Sequence, residues 1–428
     1  MIQTNHLSSV GVGTYRMHVE DSVHYDALVT AVEQGYNLID TATNYAGGKS
    51  EQLIGKFLQH HPQYSKQLFI VSKVGYVPSQ VQRTQTFADF WSNSVEEKAL
   101  IEEDFEYSLD PNFIRYQLDK SLKNVHRDYI DVYLLHNPER YLQSQNLSSP
   151  TQVYESIATA FRCLEEQVQA GKIRYYGLSS NCMFQPNEAR SLDLAKILEI
   201  ATSIAVDHHF KFIQFPFNFK ETKALEPNYG SLSLLELAKK NGLITIGNRP
   251  LNMNEQGYEF RLVTHEAAVT QLNAKQAEED WKTFYQKVDE QIQHLTNGEN
   301  QASDFDPMLT LEQHYKDFQS KGAVDHFFET NLLPFIETVF EENNPSVELL
   351  LKSVWEHTVL FALKKQTEKT QTFLANLEEE GVELKENSVT TACHAYLDDT
   401  LLDHVLVGLR RPAYVLDLNG KFTSKVLV

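Results

Sequence analysis

The chain has 428 residues, an ordinary globular composition and a formal net charge of −20, so it is long enough for a large core and for more than one domain. The acidic balance argues against nucleic acid or an anionic membrane as a partner. Cys163, Cys182 and Cys393 form neither a CxxC pair nor a metal-ligand spacing, and no basic leader or long apolar run follows Met1, so a cytoplasmic protein with no bound metal is expected.

Residues 8–15 alternate apolar and small side chains, which predicts a strand approached closely on one face. Residues 24–34 have helical periodicity and stop at Gly35. A short apolar strand over 37–39 then delivers Asp40. The loop after it carries Tyr45, and Gly47 and Gly48 lead into a helix for which Ser50 is the expected cap. Residues 68–71 predict a buried strand with Lys73 just beyond it, and 129–135 predict another that ends in His136. A helix over 152–170 leads to a strand at 173–178, followed by Ser179, Ser180 and Asn181. The strand at 210–215 holds Gln214, the one at 243–246 precedes Asn248, Arg249, Pro250 and Leu251, and the last, at 404–407, is followed by Gly408, Arg410 and Arg411.

Eight strands separated by helical segments predict a parallel sheet. The polar residues gathered at strand C-termini favour a closed (β/α)8 barrel over an open doubly wound sheet. Two stretches break the rhythm. Residues 74–111 form a polar, acidic connection with Phe87, Phe90, Trp91, Phe105 and Tyr107, and suit a lid over the mouth. Residues 252–385 read as helical, with helices expected at 274–295, 323–342 and 346–380 and breaks at 296–298 and 341–345. The expected organisation is therefore a barrel of residues 1–251 and 386–428, with a helical insertion, 252–385, between the seventh and eighth strands.

Asp40 and Tyr45, Lys73 and His136 stand at the ends of the second, third and fourth strands. A free tyrosine titrates near ~10, and a neighbouring ammonium is expected to lower that value and ease proton transfer to a forming alkoxide. Asp40 would be the counter-ion that keeps the lysine charged, and His136 would hold a carbonyl oxygen against the phenol. Singly, each has a plainer role: a packed loop aromatic, a solvated strand end, a turn-bonded imidazole, a loop cap. Four such groups at successive strand ends favour a site that protonates a carbonyl.

This pattern resembles the aldo-keto reductase family. Gly11-Val12-Gly13-Thr14 is similar to its first-strand signature, and Asp40-Thr41-Ala42 through Tyr45, with Ser50, Glu51 and Gly55, to its DTA-x-x-Y segment. Ser72-Lys73, 131–136, Gly177-Leu178-Ser179, Gln214 and Arg249-Pro250-Leu251 follow in the family's order, over roughly the first 250 residues and again at about 385–417. The resemblance implies a (β/α)8 barrel that binds NADPH without a Rossmann domain and reduces an aldehyde or ketone. Tyr45 would be its proton donor and Asp40, Lys73 and His136 the rest of a tetrad. It also implies a cofactor site of Gly13, Thr14, Tyr15 and Asp40, with Ser179 and Gln214 on the nicotinamide carboxamide, Ser180 beside them, and Asn248, Arg249, Pro250 and Leu251 further along. Gly408, Arg410 and Arg411 resemble the loop for the 2′-phosphate and favour NADPH over NADH. Four departures stand out: Ser180 where the family often has Asn after the serine, Asn248 where many members stack a tyrosine, Tyr414 for a basic residue, and Asp417-Leu418 for Glu-Asn.

The sequence thus predicts an NADPH-dependent oxidoreductase acting on a small carbonyl compound. The alternative is a nucleotide-binding scaffold or regulatory protein that works through its helical insertion, by a protein partner or by self-association.

Overall fold

Eight parallel strands close into a barrel in which sequence neighbours are spatial neighbours: β1 (Val10–Gly13), β2 (Leu38–Asp40), β3 (Phe69–Val74), β4 (Ile130–His136), β5 (Ile173–Ser179), β6 (Phe210–Pro216), β7 (Ile244–Asn248) and β8 (His404–Val407). β8 pairs with both β7 and β1, and that closes the ring. The structure, a computed structural model, describes residues 6–423 apart from 147–148, 187, 256–257, 297–306, 341–343 and 419. Among the described residues, no helix is long and apolar enough to cross a membrane.

Alternation along each strand fills the interior, because successive side chains point to opposite faces. Leu38, Val71, Val132, Leu134, Phe212, Ile244, Ile246 and Leu406 form one buried cluster. The strands run further than hydrophobicity alone suggested. Lys73 lies inside β3, not beyond it, and His136 and Ser179 are the last ladder residues of β4 and β5. These polar residues remain in the ladder because the backbone bonds continue to the rim whatever the side chain is.

At Gly177 the β5 backbone comes so close to β6 that an added Cβ would lie 1.9 Å from the carbonyl oxygen of Phe212. The β5–β6 register shifts at the same point. No side chain is tolerated there, so the closeness of these two strands rests on that residue being glycine.

The connection after β3 is not a bare loop. It contains a helix, Gln85–Ser94, and an antiparallel pair, Ala99–Glu102 with Phe105–Tyr107. Phe87 and Trp91 are buried, and Trp91 meets the ring of Phe113 edge-on at 5.6 Å. Glu97 receives the hydroxyls of Tyr141 and Ser156, and Asp110 accepts the backbone N–H groups of Glu96 and Glu97. A segment with its own aromatic core and buried polar tethers packs as a wall; the polarity that suggested a lid belongs to its outer side.

The chain divides into two compact units, Met1–Phe260 with Lys385–Val428, and Arg261–Leu384. A two-stranded sheet of Asn252–Glu255 and Tyr258–Arg261, absent from the expectation, follows β7. The second unit is helical, with its longest helices at Ala274–Thr296 and Pro345–Glu379. It has a core of its own in which Trp281, Phe284, Leu311, Phe328, Val354 and Ala362 are buried. The expected helix over 323–342 is instead two, Lys321–Phe327 and Leu333–Val339, joined by a π-helical turn, Phe328–Leu332. Pro334 explains the break, since it has no N–H to continue the α ladder. The breaks expected at 297–298 and 341–343 lie outside the described residues.

Candidate active site

One step of two residues from the buried interior brings five of the strands to a polar group at the rim. Leu38 precedes Asp40 in this way, Val71 precedes Lys73, Leu134 precedes His136, Phe212 precedes Gln214 and Ile246 precedes Asn248. The register then sets His136 opposite Ser179, and Ser179 opposite Gln214. A barrel whose interior is packed has no other place for these groups than its C-terminal mouth.

Lys73 is fully buried and its ammonium has three acceptors: Asp40 Oδ2 at 2.7 Å, the Thr41 carbonyl at 2.9 Å and Tyr45 Oη at 3.1 Å. All three of its protons are thereby used. Gln214 Nε2 donates to the other oxygen of Asp40 at 2.7 Å, so the buried carboxylate is bonded on both sides. Burial pushes Lys73 down and Asp40 up, and each charge works against the shift of the other. With every donor and acceptor paired, the ion pair is the form this geometry favours.

Tyr45 does not behave as its lysine neighbour suggested. Its pKa is raised well above the usual phenol value, first by burial, then by Asp40, Tyr15 and Tyr76, with Arg249 pulling it down. The negative charge of Asp40 beside Lys73 offsets the ammonium, so burial decides. Tyr45 is therefore a neutral phenol. Its ring meets Tyr15 edge-on at 5.0 Å and His136 at 5.9 Å. Burial, then Lys73 and then Arg140, hold His136 well below its ordinary range. It is a neutral imidazole, able to hydrogen-bond without adding charge.

The remaining expected residues fall into two groups. Ser179 Oγ donates to Gln214 Oε1 at 3.1 Å, and Asn248 Nδ2 approaches the same oxygen at 3.4 Å. Asn248 Oδ1 is buried with no partner among the described residues. A buried acceptor without a donor, beside a serine and a glutamine, suits the N–H of a carboxamide, so this corner fits a nicotinamide. Ser180 Oγ accepts from the Cys182 N–H at 3.1 Å. Thr14 hydrogen-bonds the Asp40 carbonyl through N and Oγ1, which ties the end of β1, Gly13 included, to β2. Tyr15 is exposed apart from its contact with Tyr45. Arg249 adopts φ +55° and donates to Asn181 Oδ1 at 2.5 Å, and Tyr396 donates to the Pro250 carbonyl at 3.0 Å. Leu251 follows, half-buried. Gly408, Arg410 and Arg411 leave the barrel after β8, next to the end of β1, because Val407 pairs with Val12. Arg410 is close enough to His24 to lower its pKa, after burial has done most of that.

Ser50 is not a helix cap. Gly48 holds that position, with φ +92°, and Ser50 lies buried inside the helix Lys49–His60, where Oγ donates to the carbonyls of Thr14 and Met17. His18, Asp21 and His24 are close enough together to suggest a metal site. However, His24 Nδ1 accepts the His18 backbone N–H at 3.2 Å, which leaves the proton on Nε2 and removes the lone pair a metal needs.

Sequence reading overlooked Tyr76, Asn137 and Arg140. The Tyr76 ring meets His136 edge-on at 4.8 Å and stacks on Phe105 at 5.6 Å. Its hydroxyl accepts from Asn137 Nδ2 at 2.7 Å and from Arg140 Nε at 3.3 Å. The signal available was position alone, three residues after Lys73 and four after His136.

The sequence profile of the aldo/keto reductase family matches residues 9–296. The uncharacterized oxidoreductase YqkF of Bacillus subtilis is 27% identical over 41% of this chain and 45% of its own length. The NADH-specific methylglyoxal reductase of Escherichia coli is 25% identical over 61% of this chain and 68% of its own, and the E. coli protein tas 29% over 49% and 59%. Two of these three alignments thus span less than two thirds of the relative. Among solved structures, the glycerol dehydrogenase AKR11B4 from Gluconobacter oxydans is similar over 98% of this chain and 86% of that one, at 18% identity and a TM-score of 0.47. With its closed parallel barrel and a family profile that covers most of it, the chain belongs to the aldo/keto reductase family.

Proposed function

We propose that the protein reduces a small aldehyde or ketone with NADPH, with Tyr45 as the proton donor. The observation that carries this reading is that the ammonium of Lys73 donates into Tyr45 Oη. The oxygen's own proton is left without an acceptor among the described residues, free for a substrate oxygen. A carbonyl oxygen would rest between that phenol and the neutral imidazole of His136, and Tyr45 would release its proton to the oxygen as the carbon is reduced. The phenolate that remains is then held by the same ammonium, 3.1 Å away. Lys73 thus acts on the product of the transfer more than on the resting phenol. A bound nicotinamide supplies the hydride. Ser179, Gln214 and Asn248 would hold its carboxamide, Arg249 the pyrophosphate, and Arg410 and Arg411 the 2′-phosphate, where guanidinium groups bind well.

One relative is named NADH-specific, so cofactor choice is the point to test first. Intrinsic-fluorescence titration should show NADPH bound about tenfold or more tighter than NADH, and Arg410→Ala with Arg411→Ala should erase that difference. Equal affinities in the wild type would remove the assignment of the two arginines.

The helical unit supports a second reading, as a partner surface. It has a core of its own, and Leu349 on its longest helix is 70% exposed. Replacing residues 262–384 by a short linker should then leave cofactor binding and carbonyl turnover in place. A soluble variant that no longer binds cofactor would assign the unit to the active site instead.

A further inference from the structure

Resting on the reductase reading, we infer that the natural substrate carries an anionic group, a carboxylate or phosphate, which Arg140 receives at the barrel mouth. Arg140 lies in the short helical turn after β4, Pro138–Gln143, one turn beyond His136. Its guanidinium is fixed from three sides. Nε donates to Tyr76 Oη at 3.3 Å, Nη1 donates to Gln143 Oε1 at 2.7 Å, and the group lies over the Phe105 ring at 5.4 Å.

Every one of these partners is neutral. Among the described residues, no carboxylate is within ion-pair distance of Arg140, and its Nη2 has no hydrogen-bond partner. Elsewhere in the barrel, Arg127 and Arg174 share Asp131, and Arg83 has Glu106. The neighbouring carboxylate, Glu139, acts on Arg140 only through space, beyond ion-pair distance, and accepts the Asn181 N–H at 2.8 Å. In a chain with a net charge of −20, a half-buried guanidinium kept in one pose without a carboxylate in contact is a site prepared for an incoming anion.

The placement suits the proposed chemistry. Tyr76 contacts His136 with its ring and Arg140 with its hydroxyl, so the cation stands one aromatic ring away from the imidazole that would hold the carbonyl. Tyr76 is itself locked. Its backbone bridges to Tyr107, and Gly75 before it has φ +147°, where an added Cβ would meet the Tyr107 ring at 2.5 Å. Only glycine allows that contact. The connection after β3 therefore supplies Tyr76 and Phe105, which aim Arg140, and the anion's separation from the carbonyl is set by a rigid element.

The test compares ω-formyl carboxylates of increasing chain length with neutral aldehydes of matching length, in wild type and in Arg140→Met and Arg140→Lys. For the best chain length, wild type should favour the anionic aldehyde by about tenfold to 100-fold in kcat/KM, the range of a charge-assisted contact. The preference should shrink as ionic strength rises. Arg140→Met should bring the ratio close to one, and Arg140→Lys should recover part of it. ω-Phosphorylated aldehydes in the same series distinguish a phosphate from a carboxylate. Calorimetric binding of the corresponding ω-hydroxy carboxylate to the holoenzyme gives a readout apart from turnover, and Arg140→Met should weaken it about tenfold.

If both aldehyde classes turn over with a ratio near one in wild type, the anionic substrate is ruled out and the reductase reading stands. If Arg140→Met lowers both classes equally, Arg140 only supports Tyr76 and the inference is overturned. If no aldehyde turns over and the hydroxy carboxylate does not bind, the inference fails together with the reading beneath it.

Discussion

Tyr45→Phe is expected to lower kcat for aldehyde reduction about 100-fold to 10,000-fold, the range lost with a positioned general acid, and to leave the fold standing. The change removes one oxygen. The ring stays packed against Tyr15 and His136, and Lys73 keeps Asp40 and the Thr41 carbonyl as acceptors. One lost hydrogen bond costs about 1 kcal/mol of stability, small beside the barrier increase. Single-turnover kinetics with enzyme-bound NADPH is the right measurement, because it isolates the chemical step from cofactor release. Turnover equal to wild type would end the assignment of Tyr45 as donor. The pH profile gives a second check. Since burial holds the phenol protonated well beyond its usual range, the rate should not fall between neutral and mildly alkaline pH for want of the donor's proton.

Lys73→Met should be the most damaging single change to the barrel rim, costing about 3–5 kcal/mol of stability, the usual loss when one partner of a buried ion pair is removed. Both side chains of this pair are almost wholly out of water, at 0% and 4% exposure. Without the ammonium, the Asp40 carboxylate keeps only the bond from Gln214, and burial, already the largest influence raising its pKa, loses its main opponent. A carboxylate whose folded pKa exceeds its unfolded one adds stability at low pH, and loses it as pH rises through the folded value. The variant should therefore be most stable below the ordinary carboxylate range and weaken toward neutrality, as urea unfolding at several pH values would show. Adding Asp40→Asn should recover part of the loss, because it removes the stranded charge. A Lys73→Met variant as stable as wild type at neutral pH would mean that Asp40 and Lys73 are not held as an ion pair.

Much of the rim was legible because it is set by strand periodicity. A hydrophobic strand that ends in Asp40 or His136, or carries Gln214 near its end, announces both its direction and its polar end, and the two-residue step places all three at one mouth. Lys73 was legible too, though strand length was underestimated because the apolar run stops three residues before the ladder does. What escaped depends on summed environments or distant partners. The pKa of Tyr45 turns on burial and on Asp40, and neither is visible from the spacing to a lysine. Tyr76 and Arg140 matter only because the hairpin strand Phe105–Tyr107 folds back over them. Ser50 looked like a cap because it follows two glycines, yet Gly48 adopts the capping conformation and leaves Ser50 to tie the β1 loop. Pro334 was readable as a helix break, and periodicity on both sides concealed it.

The late position of β8 has a consequence for biogenesis. Seven strands leave the ribosome long before the eighth, since the whole segment Arg261–Leu384 must be translated in between. At typical elongation rates that interval is roughly 10–30 s. For that time the nascent sheet has two open edges, at β1 and β7, where it can pair with other chains. The ring can be sealed only when β8 emerges, so the order of the chain itself sets how long that backbone stays unpaired.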